Sequence, residues 1–135
     1  MKRQIVLLPL LAAALAGCGA QSEPSVDDKF QGEQAAVAQQ VEELQTAGER
    51  RQPDDICANI LARSLVQEIE AAGGDCVDEM RLAIEDADDY DLEVVKVTVR
   101  GETATAEVRR PEGATDTMEF EREDDQWRAT SLSGG

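Results

Sequence analysis

Val95-Lys96-Val97-Thr98-Val99-Arg100-Gly101-Glu102-Thr103-Ala104-Thr105-Ala106-Glu107-Val108-Arg109 holds two runs with a period of two around a short reversal. Alternation of apolar and polar residues marks a strand with one covered face, and a Gly-containing dipeptide between two such runs closes a hairpin. Val95, Val97 and Val99 are expected on one face with Ala104, Ala106 and Val108; Lys96, Thr98, Arg100, Thr105 and Glu107 fall on the other. The period persists downstream. Met118 and Phe120 alternate with Thr117, Glu119 and Glu121 after a loop at Pro111-Glu112-Gly113, and Trp127, Ala129 and Ser131 follow a turn at Glu123-Asp124-Asp125. Three successive hairpin connections predict a four-stranded antiparallel meander whose apolar face must be covered.

Upstream of Asp91 the period is helical. From Gly32 to Ala47 the apolar positions Val37, Val41 and Leu44 share one face, Phe30 extends the stripe, and Gly48 is a plausible stop. Pro53 with Asp54 and Asp55 opens a second helix: proline lacks a donor not needed there, and the acids meet the positive end of the dipole. Ile56, Cys57, Ile60 and Leu61 form its buried face. Ser64-Leu65-Val66-Gln67 fits a capping box for a third helix carrying Leu65, Ile69 and Ala72 inward, and Gly73-Gly74 ends it. Asp75 caps a fourth, with Val77, Met80, Ile84 and Ala87 inward and Cys76 in its first turn. The fold class is therefore α+β, N-terminal helices packed on a curved antiparallel four-stranded meander.

The N-terminus has its own logic. Met1-Lys2-Arg3-Gln4 is basic, Ile5 to Ala16 is apolar, and Leu15-Ala16-Gly17-Cys18 closes the run. The order of a short cationic region, an apolar region and small residues describes a secretory signal peptide. A spanning helix needs ~20 residues, and Pro9 interrupts this shorter run. The cysteine after Leu-Ala-Gly resembles the lipobox of bacterial lipoproteins, whose cysteine sulfur takes a diacylglyceryl group before cleavage makes it the mature N-terminus. The resemblance implies a signal peptide over 1–17, lipidation at Cys18 and a cell-membrane location on the extracytoplasmic side. Residues 18–31, polar with Pro24, are expected to be a flexible tether, and 32–133 the domain.

If Cys18 carries lipid, Cys57 and Cys76 remain as an even pair in an exported, oxidising setting, where a disulfide is the default. A zinc site needs more ligands, and the chain has no histidine to ligate a metal or activate a thiol. Formal charge is −16; losing residues 1–17 takes Lys+Arg from 13 to 11 against 29 acids, a formal −18. Such a surface repels phosphate backbones and excludes nucleic acid as a partner. Membrane association then rests on the lipid at Cys18, whose two chains suffice for stable anchoring.

Helices first, then a meander ending in Trp127-Arg128, resemble the nuclear transport factor 2-like α+β roll, a bent sheet wrapped around helices. The resemblance spans Phe30 to Leu132 and rests on Glu33–Ala47, Asp55-Ile56-Cys57, Gly73-Gly74-Asp75-Cys76, the Val97–Thr105 hairpin and Asp125-Gln126-Trp127-Arg128. Another helix-on-meander fold, cystatin-like in outline, is the alternative. Enzymes of that superfamily use the open end of the cone with histidine–aspartate dyads or an acid with a tyrosine donor. Without histidine the dyad has no counterpart here, and Tyr90 is expected at a helix–strand boundary with its ring packed and its hydroxyl wet. Glu107, Glu119 and Glu121 alternate away from the apolar set, and Ser64 and Ser131 have no base beside them in sequence. Asp86-Ala87-Asp88-Asp89-Tyr90-Asp91 fails the EF-hand pattern: Tyr90 stands at position 5, Asp91 at 6 and Val97 at 12. The expectation is a lipid-anchored envelope lipoprotein with a binding or interaction role, no catalytic residues, no metal and no cofactor. Its partner is the membrane through Cys18, with an envelope protein or small ligand to be identified. The alternative is a small-molecule-binding or isomerase- or dehydratase-like domain using the cone, although a core of Val, Ala, Leu and Ile leaves little room there.

Overall fold

The computed structural model describes residues 29–132. Four helical segments precede and pack on one four-stranded antiparallel sheet of order β1-β2-β3-β4. They are α1 (Glu33–Glu49), α2 (Pro53–Asp55, running on as a π-helical turn Ile56–Ile60), α3 (Arg63–Ala71) and α4 (Cys76–Asp86). The strands are β1 (Glu93–Arg100), β2 (Thr103–Arg109), β3 (Thr115–Glu123) and β4 (Gln126–Ser131). Cys18, the signal segment 1–17 and tether residues 18–28 lie outside the described residues. Of the remaining tether residues, Phe30 is buried in the core and Lys29 lies over its ring, 5.5 Å from the centroid.

Val37, Ala38, Val41 and Ala47 of α1 are buried against β1, β2 and β4. Val97, Ala104, Ala106, Val108, Met118, Phe120, Trp127 and Ala129 supply the sheet side of the core. Two bulges alter the expected phase. Val94 pairs with Val108 and Lys96 with Glu107, so Val95 is the extra residue, and Val94 rather than Val95 is buried. A second irregularity leaves Thr130 as the extra residue opposite Glu119 and Phe120. Leu44 is only partly buried at the rim of the stripe.

Gly48 does not stop α1. It lies inside the helix, buried, where an added Cβ would stand 2.9 Å from Cδ1 of Tyr90. The helix runs one residue further, to Glu49, and the chain leaves it through Arg51 in left-handed backbone with φ 53°. The capping box at Ser64 is not formed either. Helix α3 starts at Arg63 after Ala62, and the Ser64 hydroxyl donates instead to Glu121 Oε1 at 3.1 Å. The inward set of α3 is Leu65, Val66 and Ile69, with Ala72 exposed. Asp75 caps α4 as expected, accepting from the Asp78 amide.

Both sheet edges are occupied. At β4 the Ala62 amide donates to Ala129 O at 2.8 Å beside a parallel bridge from Leu61 to Ala129. At β1 the Lys29 ammonium donates to Val94 O (2.9 Å) and the Gln34 amide to Val97 O (3.3 Å). These contacts engage part of each edge, where free groups would otherwise be open to strand addition.

Cys57 and Cys76 form a disulfide with a Cα–Cα distance of 6.1 Å, joining the π-helical turn to the first turn of α4. Opening this link in a Cys57→Ser/Cys76→Ser variant is expected to cost about 3 kcal/mol in urea unfolding. Gly48→Ala is expected to cost about 1–3 kcal/mol by overpacking against Tyr90. The penalty should shrink in a Tyr90→Ala background, a non-additivity that a double-mutant cycle in the same assay measures.

Candidate binding groove

The inward phase of β3 does not end at Phe120. Arg122 occupies the next inward position and pairs in register with Trp127 across the Asp124-Asp125 turn, both of whose residues have positive φ. Its guanidinium stands 5.2 Å from the Trp127 ring centroid. Glu33, in the first turn of α1 where a carboxylate meets the positive end of the helix, reaches over this pair. Its Oε2 accepts the Trp127 indole N–H at 2.7 Å and an ion pair from Arg122 Nη2. The hydrogen bonds from Arg122 and Trp127 hold the Glu33 carboxyl below its ordinary range, so it is a fixed anion.

This constellation closes one end of a polar groove of about 700 Å³ between α1, the π-helical turn and the β3–β4 hairpin. One wall carries Gln39, Gln40, Glu43 and Arg50 of the α1 side; the other carries Asp55 and Asn59, with Asp125 and Gln126 at the hairpin tip. Amides sit beside carboxylates on both walls: Gln39 and Gln40 donate to Glu43 at 3.1 and 3.2 Å, and Asn59 donates to Asp55 at 2.6 Å. Gln40 Oε1 and Arg122 Nε are buried atoms without a hydrogen-bond partner, and both residues line the groove.

A separate apolar pocket of about 160 Å³ opens between α1, α4 and the strands. Leu44, Ile56, Met80, Ile84 and Met118 form its wall, with Tyr90 and Arg110 among its lining residues. The Tyr90 hydroxyl, expected to be wet, donates to Ile84 O at 2.6 Å, and its ring seats on Gly48. Tyr90 therefore ties the C-terminal ends of α1 and α4 together. Over the outer sheet face lies a hollow of about 510 Å³ lined by Thr98, Arg100, Thr105, Glu119 and Glu121. On the far side, Arg63 bonds Glu123 (2.7 Å) and Asp124 (2.6 Å), which lowers the Glu123 pKa.

Of the residues singled out in the sequence, Cys57 and Cys76 are brought together, and Cys18 is outside the described residues. Glu107, Glu119 and Glu121 lie on the outer face, Ser131 is half-buried beside the second bulge, and Asp86–Asp91 form an exposed turn around Tyr90. Among the described residues no cluster of three or more Cys, Asp or Glu has metal-holding geometry. No helix among them is long and apolar enough to cross a membrane. The groove residues Glu33, Gln40 and Arg122 went unread in the sequence. One signal was there: Arg122 continues the Met118–Phe120 alternation, a charge on an otherwise apolar phase.

Glu33 and Glu123 have lowered folded pKa values, so their contributions are present above the ordinary glutamate range and lost as pH falls through the lowered values. Melting temperatures of the parent and Glu33→Gln are expected to differ most above about pH 5 and to converge toward about pH 3. Thermal scans across that range check it; a gap that widens in acid contradicts the assignment.

No protein-family model, no curated protein and no solved structure matches this chain.

Proposed function

We propose that this protein is an exported lipoprotein, held on the extracytoplasmic side of the cell membrane by a diacylglyceryl group on Cys18. Its domain, read as a nuclear transport factor 2-like roll, binds rather than catalyses. The location follows from the resemblance of Leu15-Ala16-Gly17-Cys18 to a lipobox, and a Cys57–Cys76 disulfide suits an oxidising compartment.

The observation that carries the binding role is the polar groove above Glu33, Arg122 and Trp127. It presents a dense set of donors and acceptors from Glu33, Gln39, Gln40, Glu43, Arg50, Asp55, Asn59 and Gln126. Its best-defined carboxylate is pushed away from neutrality, whereas a general acid or base works best with a pKa near the operating pH. An ionised Glu33 locked between an indole and a guanidinium is a recognition group.

The pocket under Tyr90 favours a second reading, a small-molecule site in the open end of the cone. At about 160 Å³ it falls below the ~300–1,000 Å³ of ordinary ligand pockets, so it suits a short apolar group at most.

Fractionation tests the anchoring. The parent chain is expected in the membrane fraction, with an intact mass that places diacylglyceryl on Cys18 as the mature N-terminal residue. Cys18→Ala should leave the membrane fraction or remain unprocessed. A native protein with an unmodified N-terminus elsewhere would refute the assignment.

A further inference from the structure

We infer that the apolar pocket beside Tyr90 binds small amphiphilic amines, seating an apolar group of about six carbons with the ammonium at its mouth; this rests on the pocket being a small-molecule site. Leu44, Ala87, Leu92 and Leu132 are half-buried along its lining, and Ala83 is exposed there. Beneath them Ile56, Met80, Ile84 and Met118 make a buried floor. The rim thus leaves apolar surface in water that a ligand can cover. Its volume of about 160 Å³ is close to the ~150 Å³ of an apolar cavity that takes a benzene ring. Two unbranched methionines in the floor let it conform to the group it receives.

The polar groups of the wall are already engaged. The Tyr90 hydroxyl is spent on Ile84 O. The Gln45 amide donates to Glu49 at 3.3 Å and to Asp91 at 3.2 Å, and its oxygen accepts the Leu92 amide at 3.3 Å. Water in the pocket therefore finds few wall partners, and an apolar group that displaces it gains affinity. Charge complementarity then selects the head group. Asp89 is an exposed member of the lining whose Oδ1 accepts the Asp91 amide at 2.9 Å; its Oδ2 takes no hydrogen bond among the described residues. Asp86, Asp88 and Asp91 stand exposed in the same turn. Arg110, the cation on the lining, is paired with Asp116. An anionic head meets this row of carboxylates and a neutral head gains nothing from it. An ammonium is attracted, and the −16 formal charge of the chain raises its local concentration.

Met80 and Met118 lie in the floor, so their methyl resonances report an aromatic ring seated against it. The experiment titrates the full-length chain, in detergent and carbon-13 labelled at its methionine methyls, with 2-phenylethylamine, 2-phenylethanol, 3-phenylpropionate and spermidine in turn. The expected result is a saturable shift of the Met80 or Met118 signal with 2-phenylethylamine. Its affinity should exceed that of 2-phenylethanol by about threefold to fivefold at roughly 0.05 M salt, a margin that shrinks toward roughly 0.5 M. Asp89→Asn should erase the margin and leave 2-phenylethanol binding unchanged, while Glu102→Gln, in the β1–β2 turn at the other end of the strands, alters neither. Ala83→Phe should weaken both ligands by filling the mouth. Equal binding of amine and alcohol, tighter binding of 3-phenylpropionate, or a margin that survives Asp89→Asn overturns the amine assignment and leaves the pocket a small-molecule site. A shift produced by spermidine overturns the need for an apolar group. Silence from all the aromatic probes, or shifts that survive Ala83→Phe undiminished, overturns the assignment and the pocket reading together.

Discussion

The faces that α1 and the sheet bury against each other carry many small side chains, and much of the molecule follows from that. Ala38 and Ala47 on the helix, and Ala104, Ala106 and Ala129 on the strands, are all buried. Valines fill the space between them, while Phe30, Phe120 and Trp127 add bulk to the core. The apolar pocket left between α1, α4 and the strands holds about 160 Å³, too little for an enclosed ligand of ordinary size. The larger recesses are displaced to the outside, along the flank of α1 and over the outer sheet face. A separate contact, with Tyr90, explains Gly48. Tyr90 must lie flat against the helix to reach Ile84 O, and nothing larger than hydrogen fits between.

The sheet was legible because its signals are local. Gly101-Glu102 and the alternation around it define one hairpin, and Asp124-Asp125 another, with positive φ at both positions. The bulge was not legible: Val94-Val95 is an apolar pair with no polar residue between to set the phase, and tertiary packing chooses Val94. Two helix-boundary signals misled for a related reason. Glycine at 48 and the Ser64–Gln67 pair are chemically competent to stop and start helices, but each is taken by a longer-range contact, with Tyr90 and with Glu121. Local propensity loses where a distant partner claims the same group.

The groove was harder to read because no short stretch contains it. Glu33 and Trp127 are 94 residues apart in sequence, and they meet because α1 and β4 lie side by side. Glu33, Gln39, Glu43, Asp55 and Asn59 are each, alone, ordinary exposed polar residues of an acidic chain. Only Arg122 carried a visible mark, a charge in an inward phase, and its meaning depends on a glutamate from the other end of the domain. The disulfide differs because, with Cys18 set aside for the lipobox, the other two of the three cysteines have one pairing.

The disulfide sets how far the domain extends under tension. Cys57 and Cys76 are 19 residues apart and covalently closed, so a pull on the two ends of the domain bypasses the segment between them. At roughly 3.5 Å per residue, about 65 Å of chain stays hidden from the applied force. That loop contains α3 and the Leu61–Ala62 contact with β4. Stretching the ends therefore lengthens the α1 side and the strands, while the knot of chain between the two cysteines stays short, a contour deficit that returns only on reduction.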